Sequence, residues 1–149
     1  MKLPSFSLPA SDKKTYTEAD FASGVFVLYL YPKDMTPGCT LEANDFQSLL
    51  PEFEKLGAQA LGMSKDSIER HEKFCTKESL TFPLITDAEM TLIEPLGAWV
   101  EKSMYGKKYM GIDRSTFIIK DGEVVHEWRK VKAKGHASAV LDWLQGADL

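Results

Sequence analysis

Chemistry in this chain starts at Cys39, which follows Thr36-Pro37-Gly38 and stands seven residues beyond the proline that ends an apolar run at Pro32. A thiol is a poor nucleophile until it ionises. Thr36 reads as a helix N-cap and Pro37 as the first helical residue, where a missing N–H costs nothing. Cys39 then falls in the first turn, where unpaired N–H groups and the positive end of the helix dipole favour an anion. Gly38 lets a substrate approach the backbone, and Thr36 offers a hydroxyl within a turn of the sulfur. Cysteine also serves as a small buried hydrophobe. Proline, glycine and threonine at a loop-to-helix junction are not a core stripe, so the pattern favours a reactive thiol.

Cys75, within RHEKFCTKES, is the other cysteine. It shares a helical stripe with Ile68, His71 and Glu72, and free cysteines are among the most buried residues. Core packing and thiol chemistry both remain open for it. His71, His126 and His136 lack paired-ligand spacing and read as surface or strand residues. No metal and no organic cofactor is expected, and no glycine-rich phosphate loop appears. Trp99, Trp128 and Trp143 read as core or interface aromatics.

The 149 residues suit one domain, 1–149. A net charge of −4 gives no support to a nucleic-acid partner. The only basic run, Arg129 to Lys134, reads as a solvated strand end and loop. The opening MKLPSFSLPASDKK has no apolar core like that of a signal peptide, and the longest apolar run, Val25 to Tyr31, is far short of a membrane span. A cytoplasmic protein without a membrane partner is expected. A permanent structural disulfide is not expected there.

These residues need elements to hold them. Gly24 to Pro32 reads as a central strand. A helix follows from Thr36 to Gly57, with Leu41, Phe46, Leu49, Leu50, Phe53 and Leu56 as its stripe, and Pro51 predicts a kink or a broken turn. Ala58 to Ser64 is a second strand. Asp66 and Glu69 have capping-box spacing before a helix that ends near Ser79. A strand at Phe82 to Asp87 and a short helix at Ala88 to Leu96 come next. Ser115 to Trp128 forms a hairpin around Asp121-Gly122, and Ala137 to Leu144 a last helix. This order implies an α/β domain: a thioredoxin-like central mixed sheet flanked by helices on both faces.

The segment Pro32-Lys33-Asp34-Met35-Thr36-Pro37-Gly38-Cys39, within YPKDMTPGCTLEA, resembles the peroxiredoxin active-site loop P-x-x-x-[TS]-x-x-C. It is closest to the subfamily called PrxQ or bacterioferritin comigratory protein. A second block, Trp99 to Gly122, is similar to the region carrying that family's active-site arginine, here Arg114. The resemblance implies a peroxidase in which Cys39 attacks a peroxide and becomes a sulfenic acid. It assigns the developing charge to Arg114, to the Thr36 hydroxyl and to the N–H groups of Gly38 and Cys39. It has Pro32 shield the sulfur and Glu42 orient these groups. Phe46, Trp99, Tyr105 and Met110 would either accommodate organic hydroperoxides or simply pack.

Many relatives carry a second cysteine five residues after the first, where this chain has Asn44. The resemblance therefore makes Cys75 the candidate resolving thiol. Joining it to Cys39 would require local unwinding of both helices, because a disulfide needs Cα atoms within about 7 Å. No cysteine lies near the C-terminus for an intersubunit scheme. A thioredoxin- or glutaredoxin-like reductant and a monomer are implied. A one-cysteine peroxidase using an external thiol, or a redox sensor or chaperone built on Cys39, remains open. A dithiol oxidoreductase is disfavoured because C-x-x-C is missing: Glu42 stands where the second cysteine would be.

Overall fold

A computed structural model describes all residues, 1–149. The central strand is β3 (Val25–Leu30), five of whose six residues are buried, as a β-rich apolar run requires. It pairs in parallel with β4 (Ala58–Ser64), which pairs in parallel with β5 (Leu84–Thr86). On its other side it pairs antiparallel with β8 (Ser115–Lys120), which forms a hairpin with β9 (Glu123–Trp128). The mixed sheet therefore runs β5-β4-β3-β8-β9.

One face of the sheet packs on α1 (Pro37–Lys55), α3 (His136–Gly146) and Phe74 of α2 (Ile68–Glu78). The other face is covered by a hairpin of β1 (Ser7–Pro9) and β2 (Thr15–Thr17), by a 3₁₀ helix at Glu18–Phe21, and by Leu92, Ile93 and Leu96. A second hairpin, β6 (Trp99–Met104) with β7 (Lys107–Ile112), stands apart from the main sheet. Its turn, Tyr105-Gly106, has positive φ at both residues, as does Asp121-Gly122.

Several local expectations are corrected. Residues 88–97 form turns, not a helix. The buried Asp87 carboxylate accepts from the amides of Thr91, Leu92 and Ile93, Met90 is left-handed, and Pro95 has no N–H to give. The N-cap of α2 is Ser67, whose hydroxyl accepts from Arg70 N at 3.2 Å. Asp66 turns inward instead. Helix α1 runs through Pro51 without a break, since that residue is exposed and the lost bond faces water. Leu41 and Leu56 are exposed, and Cys39, Glu42 and Ala43 take the buried stripe at the start of the helix.

The packing around the sheet is tight at Gly62 of β4. A Cβ there would lie 2.7 Å from Leu84 Cδ2 and 2.9 Å from Tyr29 Cζ, both on buried side chains. Gly62→Ala should cost about 1–3 kcal/mol in denaturant unfolding by overpacking. An unchanged midpoint would show that Tyr29 and Leu84 repack freely.

Candidate active site

Thr36 occupies the N-cap position of α1 with an extended backbone, φ −92° and ψ 155°. Its hydroxyl does not cap the helix; it donates to the Lys33 carbonyl at 2.8 Å. The first backbone bond of the turn runs from Thr40 N to Thr36 O at 2.8 Å. The amides of Gly38 and Cys39 therefore precede the intrahelical ladder and are free to bind an anion. Cys39 itself is buried at 2% exposure, and both cysteines are free thiols.

Arg114 reaches this turn from the link between β7 and β8. Its Nη2 donates to Cys39 Sγ at 3.3 Å, and its Nη1 donates to Glu42 Oε1 at 2.6 Å. Glu42 follows Cys39 by three residues, so one helix face presents both to the guanidinium. Gly38 has a second use here. A Cβ at that position would lie 3.3 Å from Arg114 Nη2, so the glycine makes room for the guanidinium.

The electrostatics follow from burial. Glu42 is fully buried, which pushes its carboxyl up; Arg114 pulls it back and Asp45 adds a small upward push, leaving it at about 7. Its Oε2 has no hydrogen-bond partner. For Arg114, burial works against the charge, but Glu42 and Cys39 outweigh it and raise its pKa. Burial, and then Arg114, lower His136 to about 4. It is thus a neutral imidazole at pH 7, with Nε2 paired to Thr116 Oγ1 at 2.7 Å. Burial raises the Tyr29 and Tyr31 phenols well above their usual range.

Beside this cluster lies an open pocket of about 300 Å³, lined by Pro32, Lys65, Trp99, Lys102, Met110 and Ile112 among others. Lys65 Nζ sits 4.7 Å from the Trp99 ring centroid, and burial lowers the pKa of Lys102. Trp99 and Met110 are thus beside the site. Phe46 is not: it is fully buried and stacked on Tyr29 at 4.5 Å. Tyr105 is 98% exposed at the tip of the second hairpin. Neither lines the pocket.

Cys75 is outside the cluster. It is half-buried on α2, its Sγ donates weakly to Ser11 Oγ at 3.6 Å, and burial pushes its thiol up. His71 and His136 are buried, contrary to the surface or strand reading; His126 does lie in β9, stacked on Trp143. Asp34 and His71 form a buried pair that sequence reasoning missed, for no short-range spacing joins residues 37 apart. Arg129 of the basic run donates to the carbonyls of Leu96 and Gly97 and so pins that strand end to the turns at 88–97. No helix is long and apolar enough to cross a membrane.

Comparison with known proteins gives a consistent result. Residues 1–127 match the AhpC/TSA family. Peroxiredoxin Bcp of Bacillus subtilis is 46% identical over 145 residues, covering 97% of this chain and 92% of its own. Peroxiredoxin Bcp of Xanthomonas campestris is 53% identical over 116 residues, covering 77% and 72%. The solved Xanthomonas campestris peroxiredoxin Q superposes with a TM-score of 0.89 at 45% identity, covering 96% of this chain and 95% of that one. Solved variants of that protein carry serine in place of either of two cysteines that lie 36 residues apart. Other structures, of a trapped intermediate and ligand complex, concern the alkyl peroxide reduction activity of the Xanthomonas campestris bacterioferritin comigratory protein. Together with the thioredoxin-like sheet, these matches across nearly the whole length show that the chain belongs to the peroxiredoxins of the AhpC/TSA family.

Proposed function

We propose that the protein is a thiol peroxidase that reduces hydrogen peroxide and organic hydroperoxides at Cys39. The observation that carries this reading is the guanidinium of Arg114, 3.3 Å from the Cys39 sulfur with its other arm fixed on buried Glu42. A cation held there needs no reorganisation when charge moves during reaction. The Cys39 thiolate attacks one peroxide oxygen and the O–O bond breaks. Cys39 becomes a sulfenic acid, and the other oxygen leaves as alkoxide or hydroxide, which takes a proton to give alcohol or water. Arg114 and the amides of Gly38 and Cys39 stabilise the leaving charge. The Thr36 hydroxyl already donates to Lys33, so its oxygen is available to accept from the peroxide O–H. Pro32, with Trp99, Met110 and Ile112, forms an apolar wall for an organic substituent.

Cys75 then resolves the sulfenic acid. Its thiol attacks the Cys39 sulfur, a disulfide forms and water leaves. Support comes from the 36-residue separation of Cys39 and Cys75, which equals that of the two cysteines replaced by serine in the variants of the Xanthomonas campestris protein. A thioredoxin- or glutaredoxin-like dithiol reopens the disulfide. The protein works as a monomer, a reading that rests on the sequence resemblance, and in the cytoplasm, as its sequence leads one to expect.

Two measurements test this. Intact mass after one equivalent of peroxide should fall by about two units in the wild type, as a disulfide forms. Cys75→Ser should instead gain oxygen at Cys39. A wild type that gains oxygen as the variant does is a one-cysteine peroxidase, and a chain that reacts with neither outcome is not a peroxidase.

The second test uses pH. As pH falls through about 7, Glu42 takes up a proton and Arg114 loses its charged anchor. The second-order rate of Cys39 oxidation, read by stopped flow, should therefore fall below pH 7. Glu42→Gln should lose this inflection and run about tenfold slower at pH 8, having lost a charge-assisted bond. Stability gives an independent reading. The folded state holds the Glu42 proton more tightly than the unfolded chain, from 4.5 up to about 7. That stabilisation is complete below about 4.5 and is lost as pH rises to 7. Glu42→Gln should flatten the stability curve across this window; an unaltered slope would mean that another group titrates there.

A further inference from the structure

The two cysteine-bearing segments are tied together by a buried pair that the peroxide chemistry does not use. Asp34 lies in the loop five residues before Cys39, and His71 lies on α2 one turn before Cys75. Both side chains are fully buried, with His71 Nδ1 2.6 Å from Asp34 Oδ2. The other ring nitrogen faces the Ile85 carbonyl at 3.1 Å and so carries a proton. Asp34 Oδ1 accepts from the Tyr31 hydroxyl at 2.5 Å. Around this pair, Asp66 Oδ2 accepts from Asp34 N at 2.8 Å and from the Ser64 hydroxyl at 2.6 Å. Arg70 completes the clasp from α2, donating to Asp66 Oδ1 at 3.1 Å and to the Asp34 carbonyl at 3.0 Å.

We propose that the Asp34–His71 pair is a latch that holds the loop before Cys39 against α2, and that its strength sets the fate of the Cys39 sulfenic acid. The proposal rests on Cys75 as the resolving thiol. Two reactions compete for the sulfenic acid. Attack by the Cys75 thiol gives the disulfide and water. Attack on a second peroxide gives Cys39 sulfinic acid and the corresponding alcohol or water, and removes the enzyme from its cycle. The second reaction uses the closed site, with Arg114 on the sulfur. The first needs the two sulfurs within about 2.05 Å, hence local opening of the loop and α2.

Opening hydrates both members of the pair. Removing one member leaves the polar atoms of the other buried without their partner, which disfavours the closed state relative to the open one. Weakening the latch therefore speeds resolution, whatever the pair is worth against an apolar substitute. The bond from Cys75 Sγ to Ser11 is a minor restraint beside it, since a neutral thiol is a weak donor. Asp34 and His71 are thus positioning residues for the second step. They fix the peroxide dose at which the protein is inactivated.

The test is single-turnover oxidation followed by quenching and mass analysis. Asp34→Asn keeps the shape and removes the charge. Arg70→Ala serves if that change is not tolerated, because the Arg70 side chain is 40% exposed. Asp34→Asn should form the disulfide at least about tenfold faster, and should need proportionally more peroxide to accumulate sulfinic acid. Arg70→Ala should move both in the same direction by a smaller factor, and in both variants sulfenic acid formation should keep its rate. Val140→Ala, a core change in α3, should lower global stability without moving the partition. In the reduced wild type a solvent-protected, far-downfield imidazole proton should report the pair, and the disulfide form should lack it. An unmoved partition in both variants, an equal effect of Val140→Ala, or a persisting imidazole proton in the disulfide form each overturns the latch. A wild type that never loses two mass units fails differently: it strikes down Cys75 as resolving thiol, and the latch falls with it.

Discussion

The contact of Arg114 with both Cys39 and Glu42 is the constraint around which the rest of the structure is arranged. It joins residues 75 and 72 positions apart, and only the sheet can hold them so. Strand β8 pairs antiparallel with β3 so that Ser115 faces Leu30. Arg114 therefore enters the sheet beside the point where β3 leaves it for the loop and α1. A one-residue slip in that register would turn alternate side chains to the wrong face and carry Arg114 from the sulfur. The fully buried run from Val27 to Leu30 pins the register, with Val27 and Tyr29 in one core and Leu28 and Leu30 in the other.

That arrangement is costly in itself. A carboxylate is fully buried with one oxygen unpartnered, and the Tyr29 phenol is buried without a partner as well. Neither would be selected for stability alone, because an unpaired buried polar atom costs about 1–3 kcal/mol. The balance at Glu42 shows the compromise. Desolvation nearly neutralises it, and Arg114 pulls back enough charge to leave it near 7. Polar groups in a fold are least satisfied where the function needs a preset field.

What the sequence disclosed and what it hid divide along range. Both ends of α1 were legible because Thr36 and Pro37 at its start and Gly57 past its end are local signals. The hairpin at Asp121-Gly122 was legible for the same reason. The hairpin at Tyr105-Gly106 was not, because tyrosine rarely takes a left-handed conformation. The turns at 88–97 looked helical because their apolar residues are truly buried, but a long-range need for Leu92, Ile93 and Leu96 under the sheet overrode the pattern. Cys39 stood out by its neighbours. Arg114 did not; its own context is that of any arginine before a strand, and only the resemblance singled it out. His71, His136 and Asp34 gave no signal, because the pairings of His71 with Asp34 and of His136 with Thr116 span 37 and 20 residues.

Helix α1 is divided in the way that its chemistry requires. Its first turn is held by polar contacts: Arg114 on Cys39 and Glu42, with Thr36 on Lys33 just before it. The preceding loop is held by Asp34 on His71 and Asp66. Further along, Phe46 and Phe53 are fully buried and in aromatic contact, with ring centroids 5.9 Å apart. Ionic contacts can be exchanged for water when a segment opens, whereas apolar burial has no such substitute. Opening should therefore stop short of Phe46 and leave the lower helix and the sheet as a rigid base. The same division explains how one short segment can be rigid while a peroxide is being cleaved and mobile when its sulfur must travel to a second thiol. Rigidity there comes from directional bonds that form and break together, added to the burial of Cys39 and Ala43.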